Sequence, residues 1–433
     1  MTYHNATKYI LNAPDELHEH TPGARLRMLW NQLGNPHKHL KYLRLAGSNG
    51  KTVCAEMLMS VFQQSPYTVG FLAMSIQPEV RSSIRINGIP IPFDDIADLV
   101  DRVRQTVIRL NKETEASHEE SYDSPALHAP ASELVLTKYE ILLTAAILAF
   151  QQNGCSFCLI ESDHGNADPT RFLPAPFAAA ICGTIPSEDR KEIQGIRSYI
   201  SHGIQEIVSA PQNQEAYQVI SQTCAVINCR LTIPTKSQVN IQKLTLSGSD
   251  FSYKGKPYRL SLCGKFQITN ATVVLEILEM LARRGYQVNE QQIYDGLRQT
   301  KIPSKFEILA VAPTIIADST HSDVAVKTVC DSMADFRPMI GSKIRLCLPE
   351  GSIVERYVQV LQDMEYSIET IITLAQEQPS DLTAKISLAH TKKIHQTVKQ
   401  ALSGLANDEI LLISGPYGFT AEIRYEILKV LGL

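Results

Sequence analysis

A glycine-rich turn constrains the fold of this chain more than any other feature of its sequence. It lies between an alternating apolar segment, residues 40–46, and a segment with helical apolar period, residues 52–64, and it reads Gly47-Ser48-Asn49-Gly50-Lys51-Thr52. In a phosphate-binding loop, glycines let backbone N–H groups point at a polyphosphate, and the helix N-terminus adds partial positive charge. Lys51 can reach the outer phosphates, and the Thr52 hydroxyl can ligate Mg²⁺. The turn therefore predicts an ATP site.

The alternative is an ordinary surface turn, because this loop has two residues between its glycines where the usual motif has four. Apolar residues after the loop favour the nucleotide interpretation. They recur at the spacing of one buried helix face, at Val53, Met57, Leu58, Val61 and Phe62.

Length and charge restrict the class of protein. At 433 residues the chain is expected to form two domains of unequal size. Its 41 basic and 45 acidic side chains leave a net charge of −4, so binding to nucleic acid or to an anionic membrane is not expected. The sequence lacks an N-terminal apolar leader and any apolar run of about eighteen residues, which predicts a cytoplasmic location.

The nine cysteines lie mostly in apolar runs and are interpreted as buried thiols in a reducing compartment. Cys155 and Cys158 form a CxxC pair, but no second pair is spaced to complete a zinc site. We therefore interpret this pair as structural.

Strand and helix patterns alternate along the chain, which predicts an α/β fold with a mostly parallel sheet in a P-loop domain. Residues 111–132 lack periodicity and are predicted to form a solvated loop. A boundary after Ile302 divides the chain into a P-loop domain, residues 1–302, and a smaller Rossmann-like α/β domain, residues 303–433. The other predicted strands are 68–74, 156–161, 178–183 and 308–318, and the other predicted helices are 93–110, 137–151, 270–284 and 324–333.

Five further phrases, collinear with the loop, resemble the folylpolyglutamate synthase and dihydrofolate synthase branch of the Mur ligase superfamily over nearly the whole chain. They are Leu33-Gly34-Asn35-Pro36-His37, the ERIRING-like 82–88, the G-x-H-Q-x-x-N-A-like 264–271, the W-P-G-R-x-E-like 302–307 and the D-G-A-H-N-like 318–322. Members of this family use ATP to join an amino group, usually that of glutamate, to a carboxylate through an acyl phosphate. The resemblance therefore implies ATP and Mg²⁺ as cofactors, a small-molecule carboxylate and an amino acid as substrates, and a monomer.

The resemblance also implies roles for individual residues. Lys51 and the loop backbone would hold the phosphates, with Lys51 and Glu161 as the catalytic residues. Glu161 would bind metal, as would Ser75 together with Thr52, and Asn270, Lys305, Asp318 and His321 would contact the nucleotide. Structural alternatives remain open: Ser75 as a turn cap, Glu161 as an ion-paired strand end, Asn270 as a helix cap and His321 as a surface side chain.

The chain also departs from the family pattern. Where the family has a metal-binding histidine, the chain has Glu188 and Asp189, and we consider Glu188 a substitute oxygen ligand. The carbamylated lysine of the family is absent from residues 200–204, where His202 is a candidate replacement. The run after Glu161 carries Asp163, His164 and Asp168, which form either a changed substrate pocket or a solvated loop.

Three functions are consistent with these patterns. The first is an ATP-dependent amide ligase, and the second is a catalytically silent nucleotide-binding paralogue that serves as a partner subunit. The third is a small-molecule kinase or NTPase that stops at phosphoryl transfer. The intact phosphate loop favours the first over the second.

Overall fold

The structure is a computed structural model, and it describes residues 1–16, 22–47, 49–74, 79–119, 134–162, 168–173, 176, 178–185, 190–200, 203–320, 322–374, 387–391 and 393–432. The chain forms two compact units. Unit 1 comprises Met1–Pro234 and Val273–Gln292, and unit 2 comprises Thr235–Thr272 and Ile293–Leu433. Each unit is made of two separate segments of the chain. The assignment of functional domains to residues 1–302 and 303–433 stays a prediction.

Unit 1 is built on an eight-stranded sheet in the order β4-β3-β2-β5-β1-β6-β7-β8. The strands from β2 to β8 in this order pair in parallel, whereas β3 and β4 are antiparallel additions at one edge. The strands are β1 (Tyr42–Ala46), β2 (Val69–Leu72), β3 (Ile84–Ile86), β4 (Ile89–Pro90), β5 (Phe157–Glu161), β6 (Ala178–Ile181), β7 (Glu206–Ser209) and β8 (Arg230–Thr232). A parallel sheet buried on both faces reads as apolar runs, and all five residues of β1 and of β5 are buried.

The helices of unit 1 are α1 (Tyr3–Asn12), α2 (Pro22–Gln32), α3 (Lys51–Phe62), α4 (Phe93–Glu119), α5 (Lys138–Gln152), α6 (Arg190–Tyr199) and α7 (Gln214–Val226). Thr137 and Glu140 form the capping box of α5: Oγ1 of Thr137 accepts from the Glu140 amide, and the Glu140 carboxylate accepts from the Thr137 amide. Every residue of α5 from Glu140 to Phe150 is buried, so this helix lies inside the unit. Two more helices, α8 (Lys265–Arg283) and α9 (Glu290–Gln299), have residues in both units.

Unit 2 contains two sheets. An antiparallel sheet has the order β11-β10-β9 and is made of β9 (Val239–Thr245), β10 (Gly248–Tyr253) and β11 (Lys256–Leu260). The larger sheet has the order β12-β13-β17-β14-β15-β16, and all its pairs are parallel except β12 with β13. Its strands are β12 (Glu307–Val311), β13 (Thr314–Ser319), β14 (Lys343–Pro349), β15 (Ser367–Leu374), β16 (Ser387–Thr391) and β17 (Glu409–Gly415), and its helices are α10 (Asp323–Ile340), α11 (Ser352–Asp363), α12 (Ile394–Leu402) and α13 (Tyr417–Leu431). The predicted α/β fold class is confirmed.

Three predicted elements differ from the structure. The helix predicted to end at residue 110 continues to Glu119, so the first part of the predicted loop 111–132 was wrong; residues 120–132 lie outside the described residues. Lys112, Glu113 and Glu115 are good helix formers without an apolar period, and intrinsic propensity extends the helix where periodicity stops.

The strand predicted at 308–318 is instead the antiparallel pair β12 and β13, with Ala312 and Pro313 at the turn. Apolar residues on both strands conceal the turn in the pattern. The helix predicted at 270–284 begins at Lys265, so Asn270 lies inside α8 and does not cap it.

The cysteine interpretation holds for Cys158, which is buried in β5, while Cys155 is partly buried. Among the described helices, none combines the length and the apolar character that crossing a membrane requires.

The packing of α5 on the sheet makes a prediction for Gly70 of β2. A Cβ at Gly70 would lie 2.5 Å from the ring of Phe150, so the ring must shift in Gly70→Ala. We expect this variant to lose about 1–3 kcal/mol of unfolding free energy in urea. The matched control is Gly418→Ala in α13, where a Cβ meets no atom within 4 Å. The control should be neutral or stabilising by up to about 1 kcal/mol, and equal losses in the two variants would contradict the packing argument.

Candidate active site

The glycine-rich loop follows β1, which lies between β5 and β6 in the sheet. Backbone bonds at the carboxyl ends of these strands continue the pairing: the Ser162 amide donates to the Leu45 carbonyl at 2.8 Å, and the Cys182 amide donates to the Ala46 carbonyl at 2.7 Å. Because parallel strands present their carboxyl ends at one edge, the loop and the residues that follow β5 and β6 lie together.

Two glycines make this close approach possible. Gly47 has φ +121°, and a Cβ there would lie 1.9 Å from the Cys182 carbonyl oxygen. Gly183 has φ +76°, and a Cβ there would lie 2.2 Å from the Asn49 carbonyl oxygen. Backbone packed this closely on backbone excludes any side chain, so the loop conformation depends on glycine on both sides.

The loop leads directly into α3. Gly50 is the N-cap of this helix with φ +87°, in the left-handed region, and the helix starts with the bond from the Cys54 amide to the Gly50 carbonyl. The first turn of α3 carries Lys51 and no acidic residue. The positive end of the helix dipole and the Lys51 ammonium therefore act at the same place, as anion binding requires. Ser48 lies outside the described residues.

Lys51 and Thr52 both contact the end of β5. Oγ1 of Thr52 donates a hydrogen bond to Oε1 of Glu161 at 2.7 Å, and Nζ of Lys51 donates a long one to the Ser162 carbonyl at 3.5 Å. Glu161 is almost fully buried. The structure thus brings together three of the residues that the sequence predicts for phosphate and metal binding: Lys51, Thr52 and Glu161.

The hydroxyl of Thr52 and the carboxylate of Glu161 are hard oxygen donors, and such donors suit Mg²⁺. The described residues contain no group of three His, Cys, Asp or Glu side chains that could hold a metal. The other predicted ligands, Ser75 and Glu188, lie outside the described residues. The donor chemistry fits a Mg²⁺ site that uses few protein ligands and retains water and phosphate oxygens.

A second polar group lies just beyond Glu161. Asp168 is buried, and its Oδ1 accepts from the Thr170 amide at 2.9 Å, while its Oδ2 accepts from Oγ1 of Thr170 at 2.9 Å and from the hydroxyl of Ser162. Burial raises the pKa of Asp168, and these hydrogen bonds and the positive charge of Arg44 oppose that rise. For Asp168, therefore, the solvated-loop alternative was wrong. Asp163 and His164 lie outside the described residues.

In unit 2 the structure brings Lys305 and Asp318 together. Oδ1 of Asp318 accepts from the Phe306 amide at 2.7 Å, and Nζ of Lys305 donates to the Ser319 carbonyl at 3.2 Å. Asn270 is buried in α8, where its amide donates to Oε1 of Gln267 at 3.0 Å. His321 lies outside the described residues.

The backbone around Lys305 is strained. Ser304 has φ +57° and Phe306 has φ +50°, values that side-chain-bearing residues rarely adopt. Ser304 occupies the position of the glycine in the family phrase, which explains why glycine suits that position. Two hydrogen bonds hold this conformation: the backbone amide of Ser304 donates to the Glu307 carboxylate, and the backbone amide of Phe306 donates to the Asp318 carboxylate.

Sequence reasoning did not find Gly183, Ser162 or Thr170. A signal existed for Thr170: Asp168-Pro169-Thr170 has an N-cap residue followed by proline, and it begins the short 3-10 helix Pro169–Phe172. For Gly183, a single glycine after a strand is too common to indicate a close approach.

By fold and loop, the chain is a P-loop α/β protein of two units. Sequence comparison with known proteins makes this class more specific. It is 23% identical over 431 residues to the dihydrofolate synthase/folylpolyglutamate synthase of Bacillus subtilis, with 93% of this chain and 94% of the relative covered. It is 28% identical over 273 residues to the dihydrofolate synthetase of Saccharomyces cerevisiae, with 60% and 57% covered. No protein-family model matches the chain.

Comparison of the fold with solved structures agrees with the sequence comparison. The apo form of L. casei FPGS superposes on this chain with a TM-score of 0.77 at 18% identity and with full coverage of both chains. An FPGS–AMPPCP–folate complex superposes with a TM-score of 0.76, also at 18% identity and full coverage. The resemblance to the folylpolyglutamate synthase and dihydrofolate synthase branch of the Mur ligase superfamily is therefore confirmed.

The contact between Gly183 and Asn49 generates a prediction. In Gly183→Ala the new methyl group meets a backbone carbonyl, so the loop must move. We expect a loss of about 3 kcal/mol of unfolding free energy and weaker binding of a non-hydrolysable ATP analogue, measured by urea unfolding and calorimetry. The matched control is Gly154→Ala, where φ is +58° but no atom lies within 4 Å of the added Cβ. The control should lose only about 1–2 kcal/mol and keep its affinity, whereas unchanged affinity in Gly183→Ala would refute the role of the contact.

Proposed function

We propose that this protein is an ATP-dependent ligase that joins the amino group of glutamate to a folate-like carboxylate. The observation that carries the proposal is the contact of Lys51 and Thr52 with the end of β5 at a glycine-rich helix N-terminus. The relatives named for folylpolyglutamate and dihydrofolate synthesis, and the similar fold solved with AMPPCP and folate, support the reaction class and the substrates.

The reaction has two steps. A carboxylate oxygen of the acceptor attacks the γ-phosphorus of ATP, the bond to the β,γ-bridging oxygen breaks, and ADP leaves. The amine then attacks the carbon of the acyl phosphate, inorganic phosphate leaves, and the amine nitrogen loses a proton. Water competes with the amine for the acyl phosphate, so the site must exclude water.

The residues of this chain act on the phosphoryl group. The backbone amides that begin α3 and the Lys51 ammonium neutralise charge on the phosphates where it develops. Thr52 and Glu161 would hold Mg²⁺, which supplies further positive charge to the phosphate oxygens when bound. Ser48, Ser75, Glu188 and His321 are proposed to complete the site, and Asn270, Lys305 and Asp318 are proposed to contact the nucleotide.

The chain is further proposed to act as a monomer in the cytoplasm. Gel filtration with light scattering measures the first property, and fractionation of the source cells measures the second. A stable dimer by light scattering would refute the monomer.

Phosphate release in the presence of Mg²⁺-ATP tests the function. With a panel of pterin and other carboxylates, each assayed with and without glutamate, we expect release only when both substrates are present. Lys51→Ala should lower the rate by about 100-fold or more, because it removes a charge that stabilises the transferring phosphoryl group. The matched control is Lys236→Ala, which changes an exposed lysine of unit 2 and should leave the rate unchanged.

The other outcomes separate the alternatives. Turnover on a carboxylate without any amine would indicate a kinase or NTPase. Binding of ATP without turnover on any substrate would indicate a silent paralogue. Equal rates in Lys51→Ala and in the unaltered protein would exclude the loop from the chemistry.

A further inference from the structure

Ser162 lies at the point where β5 ends, and it is bonded on three sides. Its amide donates to the Leu45 carbonyl, its carbonyl accepts from Nζ of Lys51, and its hydroxyl donates to Oδ2 of Asp168. The hydroxyl oxygen of Ser162 also lies 3.1 Å from Oγ1 of Thr170. The side chains of Ser162, Asp168 and Thr170 are all buried. We refer to these three residues as the Ser162 clamp.

The Ser162 carbonyl is an acceptor that the Lys51 ammonium contacts. Because β5 ends at Glu161, the carbonyl of Ser162 lies beyond the strand pairing that orients the carbonyls before it. The side-chain bonds of the clamp tie Ser162 to Asp168 and so hold the chain on both sides of residues 163–167. A carbonyl in a fixed direction gives the Lys51 ammonium a fixed acceptor.

Asp168 organises the clamp. Its carboxylate accepts two hydroxyl protons and one amide proton, which orients Ser162 and Thr170 at once. A buried carboxylate is costly unless it is hydrogen-bonded and compensated by charge, and here hydrogen bonds and the nearby Arg44 supply both.

We infer that Asp168 is a positioning residue for Lys51: through Ser162 it holds a carbonyl that accepts a hydrogen bond from the Lys51 ammonium and so helps to place that ammonium. This inference rests on the proposed function, in which Lys51 binds the phosphates. A long lysine side chain that is held in place loses less conformational entropy when it binds phosphate, so the clamp strengthens nucleotide binding without touching the nucleotide.

A double-mutant cycle tests the inference. Calorimetry measures the affinity for a non-hydrolysable ATP analogue with Mg²⁺ in Ser162→Ala, Lys51→Ala and the double variant. We expect Ser162→Ala to weaken binding about fivefold when Lys51 is present, as the loss of one buried hydrogen bond would, and less than twofold when Lys51 is absent. Thr170→Val should repeat the loss seen in Ser162→Ala, and Thr170→Ser, which keeps the hydroxyl, should restore the affinity.

The matched control is Ser209→Ala, which removes another buried serine hydroxyl at the carboxyl end of a strand in the same sheet. Its effect on affinity should be the same with and without Lys51. Thermal unfolding of each variant checks that it folds. If Ser162→Ala does not fold, Thr170→Val takes its place in the double-mutant cycle with Lys51→Ala.

The outcomes distinguish the two proposals. If Ser162→Ala weakens binding by the same factor in both Lys51 backgrounds, or in neither, the clamp has a structural role only and the inference is overturned. If the unaltered protein does not bind the analogue, or binds it as well after Lys51→Ala, the proposed function itself fails.

Discussion

The position of β1 between β5 and β6 is the constraint on which the site depends. Parallel pairing places the carboxyl ends of these strands side by side, and the loop after β1 then has a neighbouring strand end on each side. On one side, Glu161 and Ser162 receive hydrogen bonds from Thr52 and Lys51. On the other side, Cys182 and Gly183 press against the loop backbone. The loop is therefore shaped by its neighbours as much as by its own glycines.

The sequence predicted the parts of this site that follow from local chemistry. Gly47, Gly50, Lys51 and Thr52 were identifiable because a phosphate-binding loop needs these residue types next to each other, between a strand and a helix. Glu161 was identifiable because a carboxylate at the end of a buried strand faces the ligand crevice of a parallel sheet. Their mutual contact follows once the strand order is known.

The rest depends on packing between distant segments, which periodicity does not encode. The approach of Gly183 to Asn49 joins residues far apart in the chain, and its only trace in the sequence is one glycine. The turn between β12 and β13 is concealed because apolar residues continue through both strands. The extension of α4 to Glu119 shows the converse case, in which helix propensity persists without an apolar face.

The Ser162 clamp bears on how the chain departs from its relatives. The run after Glu161 departs from the family phrase over residues 162–168, and the clamp residues Ser162 and Asp168 are the two ends of that run. The bond of Lys51 to the Ser162 carbonyl and the bonds of Asp168 to Ser162 and Thr170 join residues outside the interval 163–167. The bond between Thr52 and Glu161 likewise joins residues outside the segment 200–204, in which the lysine of the family is absent.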